Sequence, residues 1–209
     1  MASAENLNLR LTLLQGQLEP HFLFNTLNGI AALVRGAERE AALQALNRLS
    51  ELLRYALRAN QQRWVSVADE LHFVDGYVAL QRLQFGEDLQ WLADIEPADW
   101  ARWACPPLPL QPLAENAIRH GLESGLQGAL HLHVRRHEGT PQVTLDNPHD
   151  PTAALLPGHG VGLAKTRERL KVLYGDRAQL HTAAASDRFE LRLSMPLEDL
   201  DVALEAADR

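Results

Sequence analysis

The chain has 209 residues, of which 46% are hydrophobic, and a formal net charge of −7. That is enough for one large domain or two small ones with a buried core. The acidic balance argues against direct nucleic-acid binding, so any anionic ligand must be held by local groups. The lone cysteine, Cys105, excludes an intrachain disulfide framework and suits a reducing compartment, with a small buried hydrophobe as its simplest role. No apolar run approaches the ~18 residues that span a bilayer. Residues 1–8 lack the basic start and apolar block of a signal peptide. The expected location is therefore cytoplasmic, and the opening helix fits the cytosolic part of a longer, membrane-anchored sensor.

Leu7, Leu11, Leu14 and Leu18 recur at alternating steps of four and three, the spacing of a coiled-coil seam. Phe22, Leu27, Ile30 and Val34 continue an apolar face past Pro20, whose missing N–H is expected to bend the helix. After a polar link at 36–39, Leu43, Leu46, Leu49, Leu53 and Leu57 mark a second helix. The pair predicts an antiparallel hairpin, and its wide stripes predict a four-helix bundle with a second copy, hence a homodimer.

Residues 60–64 form a polar break. Ser66 followed by Asp69 predicts a helix start, and Gly86 a stop after Phe85. Residues 89–95 suggest a strand and 104–109 a proline-rich linker. A helix over 110–121 precedes a strictly alternating strand at 129–136. A second strand is expected at 142–145, then a loop over 147–157. Residues 163–174 read as helix closed by Gly175, and 178–183 with 189–195 as a β-pair around Ser186 and Asp187. The tail from Asp199 is weakly helical. The expected fold class is α+β: the helical hairpin over 1–64, then an α/β sandwich over 65–209 with helices on one face of a sheet.

Three segments carry chemistry. The first, 20–25, holds His21, whose neutral imidazole keeps a lone pair at pH 7 because its ordinary pKa is about 6.5. Asn25 stands one turn on and can orient the ring. In the second, 115–121, the Asn116 amide oxygen suits Mg²⁺, Glu115 can polarise a water or order the surroundings, and His120 shares Asn116's face. Arg119 is expected to face solvent. In the third, Gly158, Gly160 and Gly162 alternate before a helix starting near Leu163, where backbone N–H groups and the helix dipole can hold phosphate oxygens. Lys165 follows that turn and is expected either to meet the phosphates or to face solvent. His131, His133 and His137 share one strand face. With no carboxylate or cysteine beside them in sequence, a solvated sheet face is preferred to a zinc site. The four tryptophans are read as packing residues, and Arg167 and Arg169 as members of structural ion pairs.

Residues 18–25, 107–121 and 158–170 resemble the LytS-like family of sensor histidine kinases, and the last two segments also resemble the wider GHKL ATPases. The likeness extends to Leu52, Leu53, Arg54 and Tyr55, and to the stretch 77–82. It implies a GHKL (Bergerat) sandwich binding ATP and Mg²⁺, with autophosphorylation of His21 and transfer to an aspartate of a response regulator, one with a LytTR-type DNA-binding domain. Many histidine kinases carry an acidic residue after the acceptor. Here Phe22 stands there, as in LytS-like kinases, and Glu19 is too far round the helix to serve as base. The resemblance gives Asp146 the adenine amino group, Asn116 the metal, and the glycine turn the hinge of an ATP lid at 150–157. The family's Asp-x-Gly-x-Gly run is replaced by Asp146, Asn147, Pro148 and His149, which alters the path around the base. Two other readings stay open: a nucleotide-poor dimeric docking or phosphatase module, and a GHKL ATPase without a histidine acceptor.

Overall fold

The computed structural model describes residues 18–59, 61–123, 128–137, 140–150, 161–185 and 187–207. Leu7, Leu11 and Leu14 of the expected seam, and Gly158 and Gly160, lie outside these.

Helix α1 (Pro20–Arg35) opens with Pro20 in its first turn, after Glu19 at φ −57°, ψ 126°. Pro20 therefore starts this helix instead of bending it. Its φ suits the first turn, where the missing N–H has no partner to lose. Phe22, Thr26 and Ile30, four apart, are its buried residues. Ala37, at φ 60°, turns the chain into α2 (Arg39–Ala59), which buries Ala42, Ala45, Leu49, Leu52, Ala56 and Ala59. After the two-residue strand β1 (Val65–Ser66), α3 (Val67–Phe85) is capped by Ser66, whose Oγ accepts from the Asp69 N–H. Gly86, at φ 57°, ends it.

Helix α3 organises the molecule. It buries residues around most of its circumference, Leu71, Phe73, Val74, Tyr77, Val78 and Leu80 among them, as a helix must when packed on both sides. It contacts both α1 and α2. The Phe22 and Tyr77 rings lie 4.6 Å apart, and those of Tyr55 and Phe73 5.0 Å apart. A methyl on Gly29 of α1 would meet Leu83 Cβ at 2.7 Å, so only glycine permits that approach. The hairpin thus gains a third helix from the segment assigned by sequence to the second unit.

The buried Glu70 pins α3 to its neighbours. Its Oε1 accepts from the Tyr55 hydroxyl at 2.5 Å and from the Leu108 N–H at 2.6 Å. Burial pushes this carboxyl up to about 7 despite those hydrogen bonds. Arg169 holds the same linker by donating to the Pro107 carbonyl, and Arg167 donates to the Leu180 carbonyl. Both arginines serve backbone carbonyls where ion pairs were expected.

A five-stranded sheet follows the order β2 (Gln90–Ile95), β4 (Ala129–His137), β5 (Thr140–Pro148), β7 (Arg188–Ser194), β6 (Gln179–Ala184), antiparallel except for the β2–β4 pair. Alternation splits its faces. Leu130, Leu132, Val134, Val143, Leu145, Leu191 and Leu193 are buried beneath α4 (Gln111–Ile118) and α5 (Val161–Tyr174). His131, His133, Thr144, Asp146, Glu190 and Arg192 share the other face. A small sheet of β1, β3 (Trp103–Cys105) and β8 (Glu198–Asp199) precedes the final helix α6 (Leu200–Ala207). Cys105 is fully buried, and burial holds its thiol well above the usual range. Trp64 packs on Tyr174, and the Trp100 indole donates to the Glu96 carbonyl.

Candidate functional site

Helix α4 supplies the centre of the site. It starts with proline in its first turn and passes at Arg119 into a π-type turn, Arg119–Glu123. Such turns interrupt helices where local geometry is needed for function. Pro112 and Asn116 lie four apart, hence on one face. A methyl on Gly162 would stand 3.6 Å from Pro112 Cβ, so the start of α5 lies against the first turn of α4, on the side that carries Asn116. Leu163 is buried and Lys165 exposed on α5.

The Asn116 Nδ2 is buried and has no hydrogen-bond partner among the described residues. An unpartnered buried amide costs about 1–3 kcal/mol, a cost a bound phosphate oxygen would remove, leaving Oδ1 for a cation. Next to it, burial pushes the Glu115 carboxyl up to about 7, while the Gln111 amide, donating at 2.7 Å, pulls it back. The residues present therefore fit a magnesium-bound phosphate.

At the acceptor segment, His21 is exposed, and Asn25 Nδ2 lies 3.3 Å from each of its ring nitrogens. The same amide donates to Gln84 Oε1 of α3 at 2.7 Å, which fixes Asn25 from behind. The two motifs meet through an ion pair that the sequence reading missed. Arg119, expected in solvent, lies 3.3 Å from the Glu19 carboxylate. Glu19 stands two residues before His21, and Arg119 three residues after Asn116. Nothing local in either segment announces this contact, because the partners are a hundred residues apart.

The other expected base contact is not brought to α4. Asp146 points to the outer sheet face, where it pairs with Arg188 and lies 3.7 Å from His131 and 3.8 Å from His133. Its cross-strand partners are His131 and Glu190. The carboxylate thought absent beside the histidines is thus present, and His131, His133 and Asp146 offer ligand atoms within 4.8 Å of one another. Arg188 already holds one oxygen of that carboxylate, and His137 is not in the group. Burial, with Arg188 and His133 nearby, holds the His131 imidazole below its usual value. Asn147 and Pro148, expected in a loop, belong to β5. Asn147 faces the helices. The residue across from it is Phe189, whose ring stacks on that of His120 at 6.2 Å and meets that of His149 at 5.9 Å. A separate groove of about 780 Å³ between α2 and α3 is lined by Tyr55, Arg58, His72 and Phe73, and none of the candidate residues borders it.

Known proteins share this pattern. Residues 9–89 match the family model described as "Histidine kinase". The sensor histidine kinase YpdA of Escherichia coli is 31% identical over 203 residues, covering 92% of this chain and 35% of that protein. LytS of Streptococcus agalactiae is 32% identical over 181 residues, covering 80% of this chain and 31% of that protein. YesM of Bacillus subtilis is 32% identical over 168 residues, covering 78% of this chain and 29% of that protein. The chain thus spans about a third of the length of these curated relatives. In fold, the histidine kinase domain of the Erythrobacter litoralis EL346 blue-light activated kinase superposes with a TM-score of 0.53 at 13% identity, covering 98% of this chain and 99% of that one. The histidine kinase family's pattern thus runs through residues 9–89, and over most of its length the chain is similar to LytS-type sensor histidine kinases.

Proposed function

We propose that the chain is the autokinase portion of a two-component sensor, in which residues 1–64 present the acceptor and residues 65–209 bind ATP. The observation that carries this reading is the Glu19–Arg119 pair, which ties the start of the acceptor helix to the end of the helix bearing Asn116. A ring nitrogen of His21 bonds to the γ-phosphorus as the bond to the β,γ-bridging oxygen breaks. ADP departs with that electron pair, and the proton on the other ring nitrogen passes to water. Such transfers require alignment and charge stabilisation more than covalent help. Asn25 aligns the ring, Asn116 Nδ2 and the start of α5 at Gly162 engage phosphate oxygens, and Glu115, held by the Gln111 amide, orders the groups around them. Gly158, Gly160, Leu163 and Lys165 complete the turn in this reading. Magnesium, when bound, would supply charge neutralisation at the phosphates, with Asn116 holding it.

Phosphohistidine then gives its phosphoryl group to an aspartate of a response regulator, one that carries a LytTR-type domain if the sequence resemblance extends to the partner. A homodimer is supported by Phe24, Leu27, Val34, Leu43 and Leu46, which a single chain leaves exposed on the hairpin. A cytosolic location is in keeping with the described residues, none of whose helices is long and apolar enough to cross a membrane.

Incubation with γ-labelled ATP tests the reading. His21→Gln abolishes acid-labile, base-stable label and leaves ADP binding intact. Asn116→Ala removes the label from a folded protein, since a helix tolerates alanine. Undiminished histidine label in His21→Gln overturns the assignment.

A further inference from the structure

We propose that the outer face of the sheet carries a metal site of its own, in which His131, His133 and Asp146 bind a divalent transition cation, Zn²⁺ foremost. The three lie on the side of the sheet away from the helices. The site is therefore separate from the face that carries Asn116 and does not depend on nucleotide binding there.

Strand register brings the ligands together. Residues two apart on a strand point to one face, so His131 and His133 of β4 stand side by side. The antiparallel pairing sets Asp146 of β5 directly across from His131 and diagonal to His133, both within reach of long side chains. Each of the three offers a ligand atom, and these atoms lie within 4.8 Å of one another, the one such group among the described residues. His131 Nδ1 is 3.7 Å from Asp146 Oδ1, and His133 Nε2 is 3.8 Å from Asp146 Oδ2. Both separations are too long for hydrogen bonds. They come within about half an ångström of the roughly 3.3 Å between ligands around a tetrahedral zinc with bonds of about 2.0–2.1 Å. Small ring rotations close the difference.

The groups behind these ligands are those a metal site needs. A ligating carboxylate or imidazole is ordinarily held by a further polar group that fixes its orientation. Arg188 holds Asp146 and is itself anchored on the Ala129 carbonyl at 3.0 Å. It takes Oδ1 and leaves Oδ2, on the His133 side, for a cation. The other nitrogen of His133, Nδ1, faces Asp94 Oδ2 at 3.7 Å, and Asp94 is fixed by Arg135. Glu190, across from Asp146 on β7, is taken by Arg192 at 2.7 Å, so the remaining position falls to water. Each of these arginines is matched by a carboxylate, which offsets its charge before an ion arrives. The ligand side chains are 36%, 43% and 17% exposed in sequence order, open enough for an ion to enter from solvent. Two imidazoles with one carboxylate select zinc and its neighbours over Mg²⁺ and Ca²⁺, which take oxygen ligands.

The test uses the full chain, stripped with a chelator and kept free of nucleotide, with Zn²⁺ alone as the probe. Calorimetry should show Zn²⁺ binding that a large excess of Mg²⁺ does not displace. Free Zn²⁺ at about a hundredfold over its Kd should raise the melting temperature by about 5 °C or more. His131→Ala, His133→Ala and Asp146→Asn should each weaken binding about tenfold or more, with the two alanine variants melting in chelator like the unaltered chain. His137→Ala, on the same strand but outside the group, should leave the affinity unchanged. Absence of Zn²⁺ binding to the unaltered chain, undiminished binding in any of the three ligand variants, or an equal loss in His137→Ala overturns the proposal. If a ligand variant does not fold, Co²⁺ added to the unaltered chain decides. It should broaden the imidazole resonances of His131 and His133 before those of the other histidines, and the reverse order overturns the proposal.

Discussion

The helical hairpin and the sheet unit bury their apolar stripes in different ways. On the inner sheet face Leu130, Val134, Leu191 and Leu193 are 0% exposed, closed over by α4 and α5 of the same chain. On the hairpin, Leu27 is 50%, Val34 62%, Leu43 46% and Leu46 43% exposed, although α3 covers the opposite side. One core is complete within a single chain and the other is half built. Stability of the sheet unit should therefore be independent of concentration, whereas association should depend on residues whose removal leaves the single-chain fold intact.

The largest effect that separates the two regions is expected from Leu145→Ala, which empties space in the closed core and should cost about 2–5 kcal/mol. Denaturant titration checks it, and the midpoint should fall equally at low and high protein concentration. A paired change, Leu43→Asp with Leu46→Asp, places charges on the open face, where a dimer would have to desolvate them. Sedimentation should show the dimer weakened about a hundredfold, with unaltered single-chain helicity. Leu49 is unsuitable for that experiment because it is already buried within one chain. Unweakened association would place the interface elsewhere.

The contact between the two regions can be probed at Gly29. Gly29→Ala forces a methyl against Leu83 Cβ and should cost about 1–3 kcal/mol by overpacking, read as a lower melting temperature with His21 still accessible to labelling. A smaller and pH-dependent effect belongs to Glu70. Its folded carboxyl is raised to about 7 by burial, above the unfolded value of about 4.3. Between those values the folded chain keeps a proton that the unfolded chain has lost, so this group's contribution is full below about pH 4.3 and declines as pH rises through about 7. Glu115, raised to about 7 by the same cause, adds a decline in the same direction. Glu70→Gln should flatten its part of the slope in melts taken across that window. A slope equal to that of the unaltered protein would show that Glu70 is charged when buried.

Much of this was legible in the sequence, for reasons local to it. The α1–α2 hairpin, the Ser66 cap, the stops at Gly86 and Gly175 and the strictly alternating β4 depend on periodicity and backbone preference, which a few residues carry. The histidine and asparagine motifs were legible as chemistry, and His21 with Asn25 and Pro112 with Asn116 each obey the four-residue spacing of one helix. The parity of β5 was legible only as far as Leu145, because Asn147 and Pro148 carry turn chemistry that reads as loop.

What only the tertiary structure decided are the relations between distant segments. Arg119 reaches Glu19 across a hundred residues of chain, which joins the start of the acceptor helix to the end of α4. Glu70 is buried as a carboxyl because Tyr55 and the Leu108 N–H close on it from two other segments. Asn147 donates to the Pro148 carbonyl and leaves its Oδ1 buried without a partner among the described residues. Sequence specifies which elements form, since propensity and periodicity act over a turn or a strand. Which groups meet is settled by packing, where desolvation and close contact act between residues that the chain itself does not bring together.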